Sequence, residues 1–209
     1  MKAVGNKITF ALYFGNRGFF PGEVIASARE EMKKAVSDAG FGYICMDGEK
    51  TRYGAVETIA EGEKYAQFLE ENRGSFDGVI LCLPNFGDEN GASVALKNAN
   101  VPVLVQAYPD KIGEMDFAHR RDAMCGKFAM CNLLRQAGIP FTLTEKFVIE
   151  PLSDSFRNDL VNFAGVCRIV KGMKHFNLGA IGARTTAFKT VRVDEIAFQK
   201  KGINIETID

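Results

Sequence analysis

Two stretches, "DGVILCLP" ending at Pro84 and "VPVLVQAY" ending at Tyr108, are apolar residue after residue rather than at every second position. A strand with one wet face alternates, whereas a strand covered on both faces reads as a continuous apolar run. Such runs require helices on either side of a parallel sheet, and the chain supplies them. "KITFALYF" (Lys7 to Phe14) is another buried-strand candidate, and "YICMD" is a shorter one. Between these two, Val24, Ile25, Ala28, Met32 and Val36 recur at helical spacing. That pattern starts at Pro21, suited to a first helical turn, and stops at Gly40, suited to ending one. Val56, Ile59, Ala66 and Leu69 predict a second helix, and Ala92 to Lys97 a short third. A long helix is expected from about Arg120 to Ala137, ended by Gly138 and Pro140.

"PFTLTEKFVIE" reads as a fifth strand. Ser153, Asp154 and Ser155 then offer caps to a helix with Phe156, Leu160, Phe163, Cys167 and Val170 on one face. "FNLGAIGAR" opens another strand–loop–helix unit, and "INIETID" is a strand that runs into Asp209. The expected fold class is α/β: a doubly wound, mostly parallel sheet of the Rossmann or flavodoxin kind over residues 1–150. Residues 151–209 are expected to begin a second, incomplete α/β domain. Ending on a strand with no helix to cover it suggests a truncated or split chain.

Net charge is zero, from 26 basic and 26 acidic residues, which disfavours nucleic-acid and membrane-surface partners that need a basic excess. Five cysteines without a CxxC pair, and no secretory signal or membrane-length apolar run, predict a soluble cytoplasmic protein with reduced, buried thiols.

In an open parallel sheet, ligands bind beyond the carboxyl ends of the strands where the winding direction reverses. For strand order 2-1-3-4 that point lies between the loops "FGNRGFFPGE" and "PNFGDENG". These place Asn16, Arg17, Glu23, Asn85, Asp88, Glu89 and Asn90 around one crevice, walled by Phe19, Phe20 and Phe86. The next strand adds Gln106, Tyr108 and Asp110, and "FAHRRD" adds His119, Arg120 and Arg121 at a helix start. Amides, carboxylates and guanidinium groups beside aromatic faces suit a polyhydroxylated molecule, whose hydroxyls need paired donors and acceptors. The same residues also admit plainer roles: Asp88 and Glu89 as helix caps, the glycines as turn formers, His119 as part of a solvated first turn. Neither glycine-rich loop has the GxGxxG spacing or the GK[ST] ending of a nucleotide site, and there is no GxSxG elbow or HExxH pair. Cys125 is expected in packing rather than in chemistry, His175 at a surface helix end, and the acidic groups assemble no evident metal cage.

Together "FGNRGFFPGEVIASAREE", "LPNFGDE", "VPVLVQAYPD", "RRDAMCGKFAMCNLLRQAGIPFTL" and "GAIGARTTAFKTVR" resemble the N-terminal half of L-fucose/L-arabinose isomerase-like proteins, from about Ile8 to Asp209. The resemblance implies an aldose–ketose isomerase that moves a hydrogen between C1 and C2 through an enediol. It also implies carboxylates as acid and base and a divalent metal, typically manganese, as Lewis acid. The family's metal ligands lie in a later part of a longer chain and map onto no residue here, so these 209 residues alone are expected to be inactive. In the family the active sites form between subunits of trimers and hexamers. The implied partners are therefore a sugar, further copies and a C-terminal catalytic half, with the opening loop, "NFGDE" and "HRRD" as lid-like contributors. The alternative is a stand-alone sugar- or sugar-phosphate-binding domain without catalysis. A flavodoxin-like nucleotide enzyme is disfavoured by the missing fingerprints.

Overall fold

The computed structural model describes residues 7–182, 188 and 193–208. Most of the "GARTTAFKTVR" part of the last quoted motif lies outside them. The chain divides into two compact units, residues 1–165 and 166–209. In the first, β1 (Thr9–Phe14), β2 (Gly42–Cys45), β3 (Gly78–Leu83), β4 (Val103–Ala107) and β5 (Phe141–Leu143) form one sheet in the order β2-β1-β3-β4-β5, every pairing parallel. The helices α1 (Glu23–Asp38), α2 (Ile59–Glu71), α3 (Glu89–Leu96) and α4 (Ala123–Gln136) alternate with the strands, and α5 (Asp154–Met173) follows β5. In the second unit, β6 (Phe176–Ile181) and β7 (Ile203–Ile208) pair in parallel, with α6 (Glu195–Gln199) between them in sequence.

The continuous apolar runs are explained by burial on both faces. Ala11, Tyr13, Val79, Leu81, Leu83, Val103 and Val105 join one core with Tyr65 and Leu69 of α2, Ala92 and Leu96 of α3 and Met130 of α4. On the opposite face Phe163 of α5 stacks on Phe10 at 5.4 Å, and the Arg29 guanidinium of α1 lies 5.3 Å from the Phe14 ring. Every residue of β3 and β4 is buried as a result. Among the described residues no helix is long and apolar enough to cross a membrane.

Helix ends follow their local chemistry. α1 and α4 close with Gly40 and Gly138 in left-handed conformation, at φ +86° and +68°. α2 opens with a capping box: Glu61 N–H donates to Thr58 Oγ1, and the Glu61 carboxylate accepts from the Thr58 N–H. Several boundaries differ from the sequence expectation. Val56 precedes α2, bridging Gly15 instead of packing as a helical residue, and Ile59 is 54% exposed. The buried stripe of α2 is Gly62, Tyr65 and Leu69. Val170 is also exposed, and only three residues of "PFTLTEKFVIE" are strand. α4 starts at Ala123 because Asp110 Oδ1 accepts the N–H groups of Arg121 and Asp122, holding that segment outside the helix.

Two features of α4 position its surroundings. A Cβ on Gly126 would stand 2.0 Å from the Phe86 carbonyl oxygen, so the missing side chain is what lets α4 lie against the β3–α3 loop. One residue later, Lys127 is fully buried. Its Nζ donates to Thr144 Oγ1 at 2.7 Å and to the Phe147 carbonyl at 2.8 Å, tying α4 to the segment after β5. Burial pushes its ammonium down to about 8, while Cys131 of α4 and Asp159 of α5 pull the other way.

Both features give measurable expectations. Gly126→Ala should lower the melting temperature by several degrees or more, since Phe86 backbone must move. Gly165→Ala, where a Cβ meets nothing, should be neutral or mildly stabilising. Equal effects in a thermal melt would show that the close approach is not a constraint. For Lys127, the folded chain releases a proton near pH 8 that the unfolded chain keeps until about its ordinary 10.5. Between those values the unfolded state binds more protons, so stability rises with pH. In a Cys131→Ser background, chemical denaturation should show the parent gaining on the order of 2–3 kcal/mol over Lys127→Met across that window. A pH-independent difference would rule out a strained buried ammonium.

Candidate functional site

The site is built at the reversal point between β1 and β3. The chain leaves β1 with Gly15 N–H donating to the Cys82 carbonyl and Asn16 N–H to the Val56 carbonyl. A Cβ on Gly15 would come within 3.3 Å of Gly87 Cα, so the loops after β1 and β3 meet backbone to backbone. Asn16 and Asn85, both fully buried, join them: Asn85 Nδ2 donates to Asn16 Oδ1 at 2.7 Å. Asn85 Oδ1 accepts the N–H groups of Arg17 and Gly87, and Asn16 Nδ2 donates to Glu57 Oε2 at 2.7 Å. Buried amides are stable only when their polar atoms are partnered, and here each amide nitrogen and oxygen has a protein partner.

Above this pair lies the part that faces outward. Arg17 Nη2 is 3.1 Å from Glu89 Oε2, and its guanidinium carbon sits 4.3 Å from the centre of the Phe86 ring. Both side chains of the ion pair remain partly open, at 26% and 40%. Phe20 stacks on Phe86 with centroids 5.8 Å apart and an 18° tilt, and Phe19 lies 4.6 Å from Phe20. Arg120, ion-paired to Asp122 at 3.3 Å, has its guanidinium carbon 5.8 Å from the Phe20 ring. Two guanidinium groups, each with a carboxylate partner, and a row of aromatic rings thus share one rim. They can donate to and accept from hydroxyls and cover C–H surface.

The other sequence candidates sit elsewhere. Asp88 caps α3, its Oδ1 accepting from Gly91 N–H at 2.8 Å. Glu23 is largely exposed and 3.6 Å from Arg52. Gln106 is fully buried, its Nε2 donating to the Ile149 carbonyl while Oε1 has no protein partner. Tyr108, equally buried, donates its hydroxyl to Glu31 at 2.9 Å. Arg121 is braced, Nη1 donating to the Pro84 carbonyl and its guanidinium carbon 4.6 Å from the Tyr108 ring. His119 is exposed, with Nδ1 2.7 Å from Asp116 Oδ2. That hydrogen bond is the main reason the Asp116 carboxyl is held below the usual range. Cys125 is exposed rather than packed, and of the five thiols only Cys82 and Cys167 are fully buried.

Sequence reasoning missed Glu57, which anchors Asn16 from a third segment. Its signal was legible: Thr58-x-x-Glu61 marks a helix start, which puts Glu57 immediately before the cap and beside the first loop. Among the described residues, no three His, Cys, Asp or Glu side chains converge as a metal cage. The residues described here therefore do not fit the divalent ion that the resemblance implies.

No curated protein matches the chain. The family model of the fucose/sulfoquinovose isomerase N-terminal domain matches residues 11–174, from within β1 to just past the end of α5. That span takes in the five-stranded sheet apart from the first two residues of β1, its helices and the crevice between the loops after β1 and β3. The chain belongs to the fucose/sulfoquinovose isomerase family and carries its N-terminal domain.

Proposed function

We propose that the Arg17–Glu89 rim holds and encloses a hydroxyl-rich aldose during a metal-dependent aldose–ketose isomerisation whose reacting groups lie outside these residues. The observation that carries this reading is the Arg17–Glu89 pair stacked on Phe86 at the strand-order reversal, with Arg120 and Phe20 continuing the rim. A half-open ion pair can exchange one of its hydrogen bonds for a sugar hydroxyl, and the rings offer a surface to C–H groups. No metal-borne step is assigned to this chain. We further propose that the rim faces a neighbouring subunit: Phe19, Ile112, Met115 and Phe117, on the first loop and the β4–α4 segment, are all exposed.

Fucose titrated into the chain by calorimetry should bind, and Arg17→Ala or Glu89→Ala should weaken it about tenfold, as loss of a charge-assisted hydrogen bond does. The melting temperature should fall by no more than a few degrees, because a half-exposed pair and one cation–ring contact contribute only about 1 kcal/mol. Unchanged affinity in both variants, or a wild type that binds no fucose, defeats the reading. A melting temperature lower by ten degrees or so assigns the pair to the scaffold instead. Separately, the isolated chain supplied with manganese should form no ketose from fucose or sulfoquinovose. Turnover would place the reacting groups within this sequence.

A further inference from the structure

A second concavity lies away from the rim, at the carboxyl end of the edge strand β2. It is a cleft of about 450 Å³, within the range of sites for small molecules. Its two walls have different origins. One is the turn after β2, carrying Met46, Asp47 and Lys50; the other is α2, whose Lys64, Phe68 and Glu71 line up at helical spacing. Lys64 Nζ donates to the Lys50 carbonyl at 3.2 Å, a single exposed link between the two walls. Met46, buried, and Phe68, half-buried, give the cleft an apolar floor.

The charges around that floor are balanced. Lys50 and Lys64 face the same cleft as Asp47 and Glu71, yet among the described residues none of the four has an ion-pair partner within 4 Å. Each carboxylate has one oxygen engaged locally: Asp47 Oδ1 accepts the Glu49 N–H, and Glu71 Oε1 accepts from Gln67 Nε2. The other oxygens, and the remaining ammonium hydrogens, are the groups a ligand could reach. An anion alone would meet two carboxylates, and a cation alone two ammoniums. A molecule with both charges meets both partners.

We propose that this cleft binds a small zwitterion with an apolar body, in chemical class a free amino acid. Its carboxylate lies toward Lys50 and Lys64, its ammonium toward Asp47 and Glu71, and its side chain on Met46 and Phe68. The site is independent of the Arg17–Glu89 rim and does not rest on the function proposed for it.

The test uses L-phenylalanine as probe, titrated into the isotopically labelled chain and followed by amide chemical shifts. Saturable shifts are expected in residues 45–50 and along α2. Phenethylamine and 3-phenylpropionate, each lacking one charge, should bind about tenfold more weakly or worse, and glycine likewise for want of apolar contact. Lys50→Met with Lys64→Met should weaken phenylalanine by a similar factor, with circular dichroism unchanged because both side chains are exposed. Absence of saturable phenylalanine binding overturns the proposal. So does equal binding of either single-charge analogue, which would mark a plain anion or cation site, or of glycine. Undiminished binding in the double variant, or shifts centred on the Arg17 rim, does the same.

Discussion

The crevice depends on two side-chain amides. Asn16 and Asn85 leave different strands of the sheet, are fully buried, and meet at 2.7 Å. A side-chain amide offers a donor and an acceptor on one rigid plane, and this junction uses both ends of each. Asn85 accepts from two backbone N–H groups while donating to Asn16 and, at 3.4 Å, to the Pro21 carbonyl. An aspartate there would set oxygen against oxygen at two contacts, in a place where water cannot intervene. Because Asn85 holds the Arg17 N–H, the same junction sets where the Arg17 guanidinium can reach. The guanidinium that rests over Phe86 thus starts from a backbone anchored by the amide pair.

This arrangement separates stability from recognition by depth. Removing one partner from a buried hydrogen-bonded network leaves others unsatisfied, at about 1–3 kcal/mol for each stranded group. The ion pair above it is half open to solvent, and such pairs contribute about 0–1 kcal/mol. The groups that face outward are thus the ones the fold can most easily do without. A rim built this way can vary its side chains while the loop junction beneath keeps the crevice open.

Much of the architecture was legible because double burial leaves a distinctive record. Runs as apolar as Val79–Leu83 fit a parallel sheet covered on both faces, and the glycines at 40 and 138 marked helix ends by their position in the helical period. The site was legible less completely, for reasons tied to individual residues. Gln106 looked like a rim residue because it is polar at the end of an apolar run. It is buried instead, because its strand is covered on both faces and its amide is drawn to the Ile149 carbonyl. The Arg121 guanidinium meets the Tyr108 ring and the Pro84 carbonyl, contacts that depend on the path of residues 109–122 and have no periodicity to reveal them. Glu57 went unseen because Val56 had been assigned to a helix, whereas it bridges Gly15 and carries Glu57 to Asn16. Lys127 broke the apolar pattern of α4 without any sign that Thr144 and Phe147 waited to receive it.

The geometry also bears on how groups that do not themselves react could influence a rate. Only interactions stronger in the transition state than in the ground state accelerate chemistry, but contacts far from the reacting atoms can be used to orient a substrate and exclude water. A guanidinium seated 4.3 Å over the Phe86 ring, already hydrogen-bonded to Glu89, loses little conformational freedom when a hydroxyl arrives. Its backbone N–H is held by Asn85 below. Whatever preorganisation would make such a rim useful to a sugar isomerase thus rests on the buried amide junction beneath it.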